Sequence, residues 1–140
     1  MRDILFQVRS AFYIALSGLT YNSQVEVYDY KAPVNSQNTY VILSEQTDDI
    51  SNTRNCTLHT TTMLIDIVSI FETGGFGRKI TDEVADIVLQ RITSTNINSV
   101  LNTYSLNATD INLVSSNGLI EEYETETVIR RLLRISMIVS

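Results

Sequence analysis

Between Cys56 and Phe71 the chain carries a long stretch rich in β-branched residues: Thr57, Thr60, Thr61, Thr62, Ile65, Ile67, Val68 and Ile70. Two heavy substituents on Cβ restrict χ1, which disfavours a helix and suits a pleated strand. Alternation puts Met63, Ile65 and Ile67 on one face and Leu64, Val68 and Ile70 on the other, with Asp66 among them. A strand apolar on both faces near its end belongs in the middle of a sheet. At this length it also predicts a bulge or bend.

The flanking segments supply the rest of such a sheet. The first eighteen residues place Leu5, Val8, Phe12, Ala15 and Leu19 at the 3.6-residue period of an amphipathic helix, with Gly18 as its stop signal. Arg9 inside the apolar run, Asp3 ahead of it and the lack of a small-x-small site separate this segment from a signal peptide. Val25, Val27, Tyr28 and Tyr30 then read as a strand. A loop from Lys31 to Asn38 holds the only proline, Pro33, and Tyr40 to Leu43 form a second strand. Residues 45–55 are polar and acidic and read as an exposed loop.

Gly74-Gly75-Phe76-Gly77 ends the long strand. Arg78-Lys79-Ile80 follows where a P-loop needs Lys-Ser/Thr, so the glycines predict a strand-to-helix turn and no phosphate cradle. Thr81 is the expected N-cap of a second helix with its apolar stripe at Val84, Ile87, Val88 and Ile92. Residues 93–105 read as irregular or weakly helical. A strand from Thr109 to Ser115, a hairpin turn at Asn117-Gly118 and a returning segment from about Tyr123 to Val139 complete the chain. That last segment fits a helix or a strand by period. Thr125, Thr127, Val128 and Ile129 favour the strand. The expected fold class is α+β, in the order α-β-β-β-α-β-β, one domain over residues 1–140. Its sheet is antiparallel or mixed, with helices packed on one face.

Composition narrows the function. The chain has ten basic and sixteen acidic residues, a net charge of −6 and a pI near 4.6. Such a balance disfavours a general nucleic-acid coat, which needs a basic face. No run reaches the roughly 18–20 apolar residues of a membrane span. Cys56 and His59 are the only residues of their kinds, so a Cys/His zinc cage and an intrachain disulfide are both excluded. Three apart on a strand, they point to opposite faces and make a poor nucleophile–base pair. The expectation is a buried thiol and a surface imidazole. The carboxylates Asp48-Asp49 and Glu121-Glu122-Tyr123-Glu124 are the remaining candidates for acid–base or hard-metal chemistry. No nucleophile or orienting group accompanies either set, and a solvated face is the better reading. Catalytic, cofactor-binding and metal residues are therefore all expected to be absent.

The order of elements carries a resemblance. A start helix leads to Val27-Tyr28-Asp29, a loop with Pro33, Tyr40-Val41-Ile42-Leu43 and a long strand containing Thr57-Leu58-His59-Thr60. A glycine turn follows, then a helix with Ala85-Asp86 and a final hairpin ending in Arg131-Leu132-Leu133-Arg134-Ile135. Over roughly residues 1–138 this resembles the tail-completion proteins of tailed bacteriophages, the group of tail terminators and head-to-tail joining proteins. The chain departs from the family pattern at Thr39, where proline usually precedes the Tyr-Val strand. The resemblance implies a non-enzymatic structural virion protein, without cofactor or metal. It implies a homo-oligomeric ring, of six, twelve or another number of copies, at the head–tail junction or tail terminus, assembled in the host cytoplasm. Its neighbours are portal, connector or tail-tube proteins, and DNA passes through without specific binding. A small interaction or adaptor domain outside a virion is the alternative reading.

Subunit contacts are expected from the charged segments and the loops. On a closing strand Thr127–Val139, Ile129, Leu133, Ile135, Met137 and Val139 share one face and Arg130 and Arg134 the other. Their planar forks suit carboxylates of a neighbouring subunit. The other contact candidates are Glu121, Glu122 and Glu124, then Asp48 and Asp49, and finally Phe76 and Arg78 in the glycine turn.

Overall fold

The computed structural model describes residues 2–29, 32, 38–52, 54, 56–72 and 78–140. Its spine is β5 (Thr57–Glu72), flanked by β4 (Thr39–Asn52) and β7 (Glu126–Val139). Short β3 (Glu26–Tyr28) lies beyond β4, and β6 (Ala108–Glu122) beyond β7, giving the sheet order β3-β4-β5-β7-β6. Only the β3–β4 pair is parallel, so the sheet is mixed. A small hairpin, β1 (Thr20–Tyr21) with β2 (Ser23–Gln24), precedes it. Three helices, α1 (Leu5–Leu16), α2 (Arg78–Arg91) and α3 (Ser94–Leu101), pack on one face of the sheet. The fold class is α+β, as the order of elements implies.

The central placement of β5 follows from its two apolar faces. Met63, Ile65 and Ile67 join Val41, Leu43, Leu133, Ile135 and Met137 beneath the helices. On the opposite face Val68 packs with Tyr40 and Val128, and Ile42 and Ile70 lean on them. Pairing of β5 with β7 runs without a register shift from His59 to Glu72. The bulge expected of so long a strand sits instead in its neighbour, between Leu43 and Gln46 of β4. A second irregular stretch, from Thr109 to Asn112 of β6, contains Asp110 at φ 52°.

Four local expectations are corrected. Residues 45–52 are not a loop: they extend β4 and pair with Thr57–Met63. Polar composition there reflects exposed pleats, because the backbone is satisfied by β5 whatever the side chains are. Asn117-Gly118 is not a turn either. Gly118 lies inside β6 opposite Arg131, and the chain reverses at residues 123–125, where the Tyr123 N–H donates to the Glu126 carbonyl at 2.8 Å. Thr81 is a buried interior residue of α2 and not its N-cap, because the helix already begins at Arg78. The segment 93–105 holds a regular helix, α3. The Thr93 hydroxyl accepts from the Asn96 N–H at 3.1 Å, and a 3₁₀ turn (Asn102–Tyr104) follows. The turn residues Pro33 and Gly74–Gly77 lie outside the described residues.

The last element resolves as a strand, and Ile129, Leu133, Ile135, Met137 and Val139 are all buried on its helix-covered side. At about 3.3 Å per residue, β4 to β7 each run some 45 Å. Gly18 closes α1 with φ +74°, a conformation that costs a residue with Cβ about 1 kcal/mol or more.

The contrast between two glycines is testable. Gly18→Ala should destabilise by about 1 kcal/mol. Gly118→Val should be neutral or stabilising by up to about 1 kcal/mol, because Gly118 is extended and a Cβ there meets nothing within 4 Å. Urea melts of both variants check this, and a large loss in Gly118→Val would contradict the strand.

Candidate functional site

The charged residues singled out in the sequence divide between the two faces of the sheet. On the open face, Arg130 of β7 lies between β5 and β6 and finds carboxylates on both. Its Nη1 donates to Asp66 Oδ2 at 2.7 Å, and its Nε lies 3.4 Å from Glu121 Oε1. The acidic segment reaches Arg130 because the turn at 123–125 folds β6 back along β7. Sequence spacing alone makes that segment look too near to do so. Arg130 thus has its partners within the chain. The Tyr123 hydroxyl donates to Glu121 Oε2 at 2.8 Å, and this bond, before all else, raises the phenol above its ordinary value.

Asp66 is only 8% exposed, and its Oδ1 is buried without a hydrogen-bond partner among the described residues. Burial pushes its carboxyl above the usual carboxylate range, against the opposing pull of Arg130. Tyr40 beside it is raised for the same first reason, desolvation, and meets Tyr28 edge-on with ring centroids 5.8 Å apart. A carboxylate sealed under a tyrosine cluster and an arginine is a structural tie between strands.

Arg134 points to the same open face, opposite Leu64 and Ser115, and no carboxylate reaches it among the described residues. Arg131 faces the helices, where it bonds Asp82 of α2 and donates from Nε to Ser116 Oγ at 2.8 Å. Glu122 and Glu124 are exposed at the β6–β7 turn, Asp49 is exposed on β4, and Arg78 opens α2. Phe76 lies outside the described residues.

His59 and Cys56 exchange the environments expected of them. Cys56 is exposed just ahead of β5, whereas His59 is 3% exposed under the helix layer. The His59 Nδ1 lies 2.9 Å from Oδ2 and 3.1 Å from Oδ1 of Asp48, the neighbouring side chain on the same face of β4. Strand parity explains this: alternation from Met63 inward through Thr61 brings His59 to the core face. Asp48 is therefore the buried partner of an imidazole and not a solvated loop carboxylate. Thr61, directly across from Asp48, is 1% exposed. No group of three His, Cys, Asp or Glu side chains gathers to hold a metal among the described residues.

The surface also has an apolar cleft of about 430 Å³ between α1 and the end of β3, lined by Phe6, Tyr13, Ile14, Val27 and Tyr28, with Arg9 and Asp29 paired at 3.0 Å across it. Sequence reasoning missed these residues. The available signal was that α1 has more large apolar side chains than one stripe can hold.

Two outcomes test the open-face network. Arg130→Ala should cost about 2–4 kcal/mol, because it strands a buried carboxylate, with the arginine's partial exposure softening the loss. The raised Asp66 binds its proton more tightly in the folded state, so its contribution to stability falls as pH rises through its unfolded and then its folded pKa. Relative to Asp66→Asn, the native chain should therefore lose stability as pH rises from the ordinary carboxylate range toward neutrality, measured by urea melts at both ends.

No protein-family model matches this chain, and no curated protein does. Its fold does match a solved chain from "Virion of native gene transfer agent (GTA) particle". The TM-score is 0.55 at 12% identity, over 96% of this chain and 91% of that one. The two chains share an architecture along nearly their whole lengths.

Proposed function

We propose that this protein is a structural component of a phage-like virion, acting as a ring of identical subunits at the head–tail junction or the tail terminus. The observation that carries this reading is the end-to-end structural likeness to a gene transfer agent virion chain. The side-chain chemistry agrees. The Asp48–His59 pair and the Asp66–Arg130–Glu121 network each hold elements together by ion pairs within the chain. The protein is thus read as non-enzymatic and located in the virion.

A net charge of −6 suits a conduit, since an acidic wall does not grip passing phosphates. Arg134, Arg78 and Asp49 have no ion-pair partner among the described residues and are free to meet carboxylates or cations of neighbouring portal, connector or tail-tube subunits.

Light scattering on the concentrated protein, together with imaging of particles, should find closed multiples of the 15.8 kDa chain. Particles made without the protein should show unjoined heads and tails or tails of abnormal length. A chain that stays monomeric and is absent from every particle refutes the reading.

A further inference from the structure

Apolar side chains left in water mark a contact surface when they gather in patches. Here they gather at the two opposite edges of the sheet. At one edge stand Phe6, Tyr13 and Ile14, with Ile50 further along β4; each is 43–58% exposed. At the other stand Leu113, Val114, Leu119 and Ile120 of β6, 44–58% exposed, with Tyr123 in the adjoining turn. Among the described residues, no large apolar side chain is exposed anywhere else.

Each edge also offers unpaired backbone. β3 covers β4 only opposite Tyr40–Ile42, so residues 44–52 of β4 have no strand on that side among the described residues. The cleft between α1 and β3 opens at the start of this bare edge. Helix α1 buries Val8, Ala11, Phe12, Ala15 and Leu16, and turns Phe6, Tyr13 and Ile14 outward as a second stripe at i, i+7 and i+8. A free strand edge beside an apolar helix face is what an incoming apolar strand requires. β6 is such a strand. It is an edge strand of 15 residues, it carries no lysine or proline, and Leu113 to Ile120 contain no charge. Monomers usually guard an edge of that length with those very residues.

We propose that the β6 edge of one copy docks on the bare β4 edge and the α1–β3 cleft of the next, continuing the sheet from subunit to subunit. The occupant is a second copy because each patch supplies what the other lacks. Strand pairing of either edge with itself would leave the second patch exposed, since β4 and β6 lie three strand spacings, about 14 Å, apart. Only a head-to-tail contact buries both, and a head-to-tail contact generates rings when its rotation closes. The inference rests on the ring reading above and names the surfaces that close the ring.

The test uses two charged substitutions at exposed positions, Val114→Lys on β6 and Ile14→Lys on α1, compared with the native chain by mass measurement. Both variants should keep native circular dichroism and melting. Leu119→Lys replaces the first if it does not fold. Each variant alone should fail to assemble. Mixed together, they should form a one-to-one dimer of twice 15.8 kDa, because the intact β6 of one meets the intact cleft of the other. If the native chain assembles only on particles, incorporation into particles is the readout for the same variants, each of which should be lost at least tenfold. Native assembly with either variant assembling equally well overturns this docking and leaves the ring reading standing. So does Ile14→Lys dimerising alone through β6. A native chain that neither assembles nor enters particles overturns both.

Discussion

The two faces of β5 meet different solvents, and the rest of the molecule is arranged around that difference. Toward the helices, Met63, Ile65 and Ile67 demand an apolar layer, and Val8, Phe12, Val84, Val88, Ile97 and Leu101 provide it. Away from the helices, Val68 is fully buried with only Tyr40, Val128 and their half-buried neighbours to cover it. Asp66 interrupts that second face and must then be neutralised where it stands. Arg130 reaches it from β7, and Glu121 holds Arg130 from β6, so one buried carboxylate stitches three strands together. Replacing such a cluster by apolar residues is often neutral or stabilising in proteins, so its use here is better sought in strand register than in raw stability.

Long strands bring a liability. A sheet with strands of 14 to 16 residues has two edges some 45 Å long, and three helices covering one face do nothing for either edge. The β3 edge strand, three residues long, covers a small part of β4. Bulges in β4 and β6 break the regularity of both margins. Apolar residues nonetheless remain exposed along both margins, Ile50 on β4 and Leu113, Val114, Leu119 and Ile120 on β6.

The buried Asp48–His59 pair answers a related need. Both side chains hang from the outer half of the β4–β5 ribbon, and they satisfy each other there at 2.9 Å. Gln46 extends this polar seam. It donates to the Leu5 carbonyl at 2.9 Å and accepts from Arg9, whose guanidinium also holds Asp29. The helix is thereby fastened to the ribbon by hydrogen bonds where apolar contacts are few.

Elements whose side chains alternate or recur strongly are legible in the amino-acid sequence: α1, α2 and the central β5, whereas the closing β7 fits a helix or a strand by period and only its β-branched residues favour the strand. Their periodicity reflects burial, and burial is written in residue type. Polar strands are not legible in this way. Residues 45–52 and 115–118 look like loop and turn because Asp, Asn, Ser and Gly favour those states locally. Pairing with β5 and β7 overrides that preference through backbone hydrogen bonds that no side chain announces. The helix at 94–101 is hidden for a similar reason, its Ser, Thr and Asn content masking a stripe of Ile97, Val100 and Leu101. Sequence alone thus determined the fold class, the absence of a zinc cage and the acidic balance, all properties of residue type and number. Tertiary structure alone decided which carboxylate Arg130 holds, that His59 is buried and Cys56 exposed, and which apolar residues remain at the two edges. Those depend on strand order and register, which bring together residues as far apart in the chain as His59 and Val139.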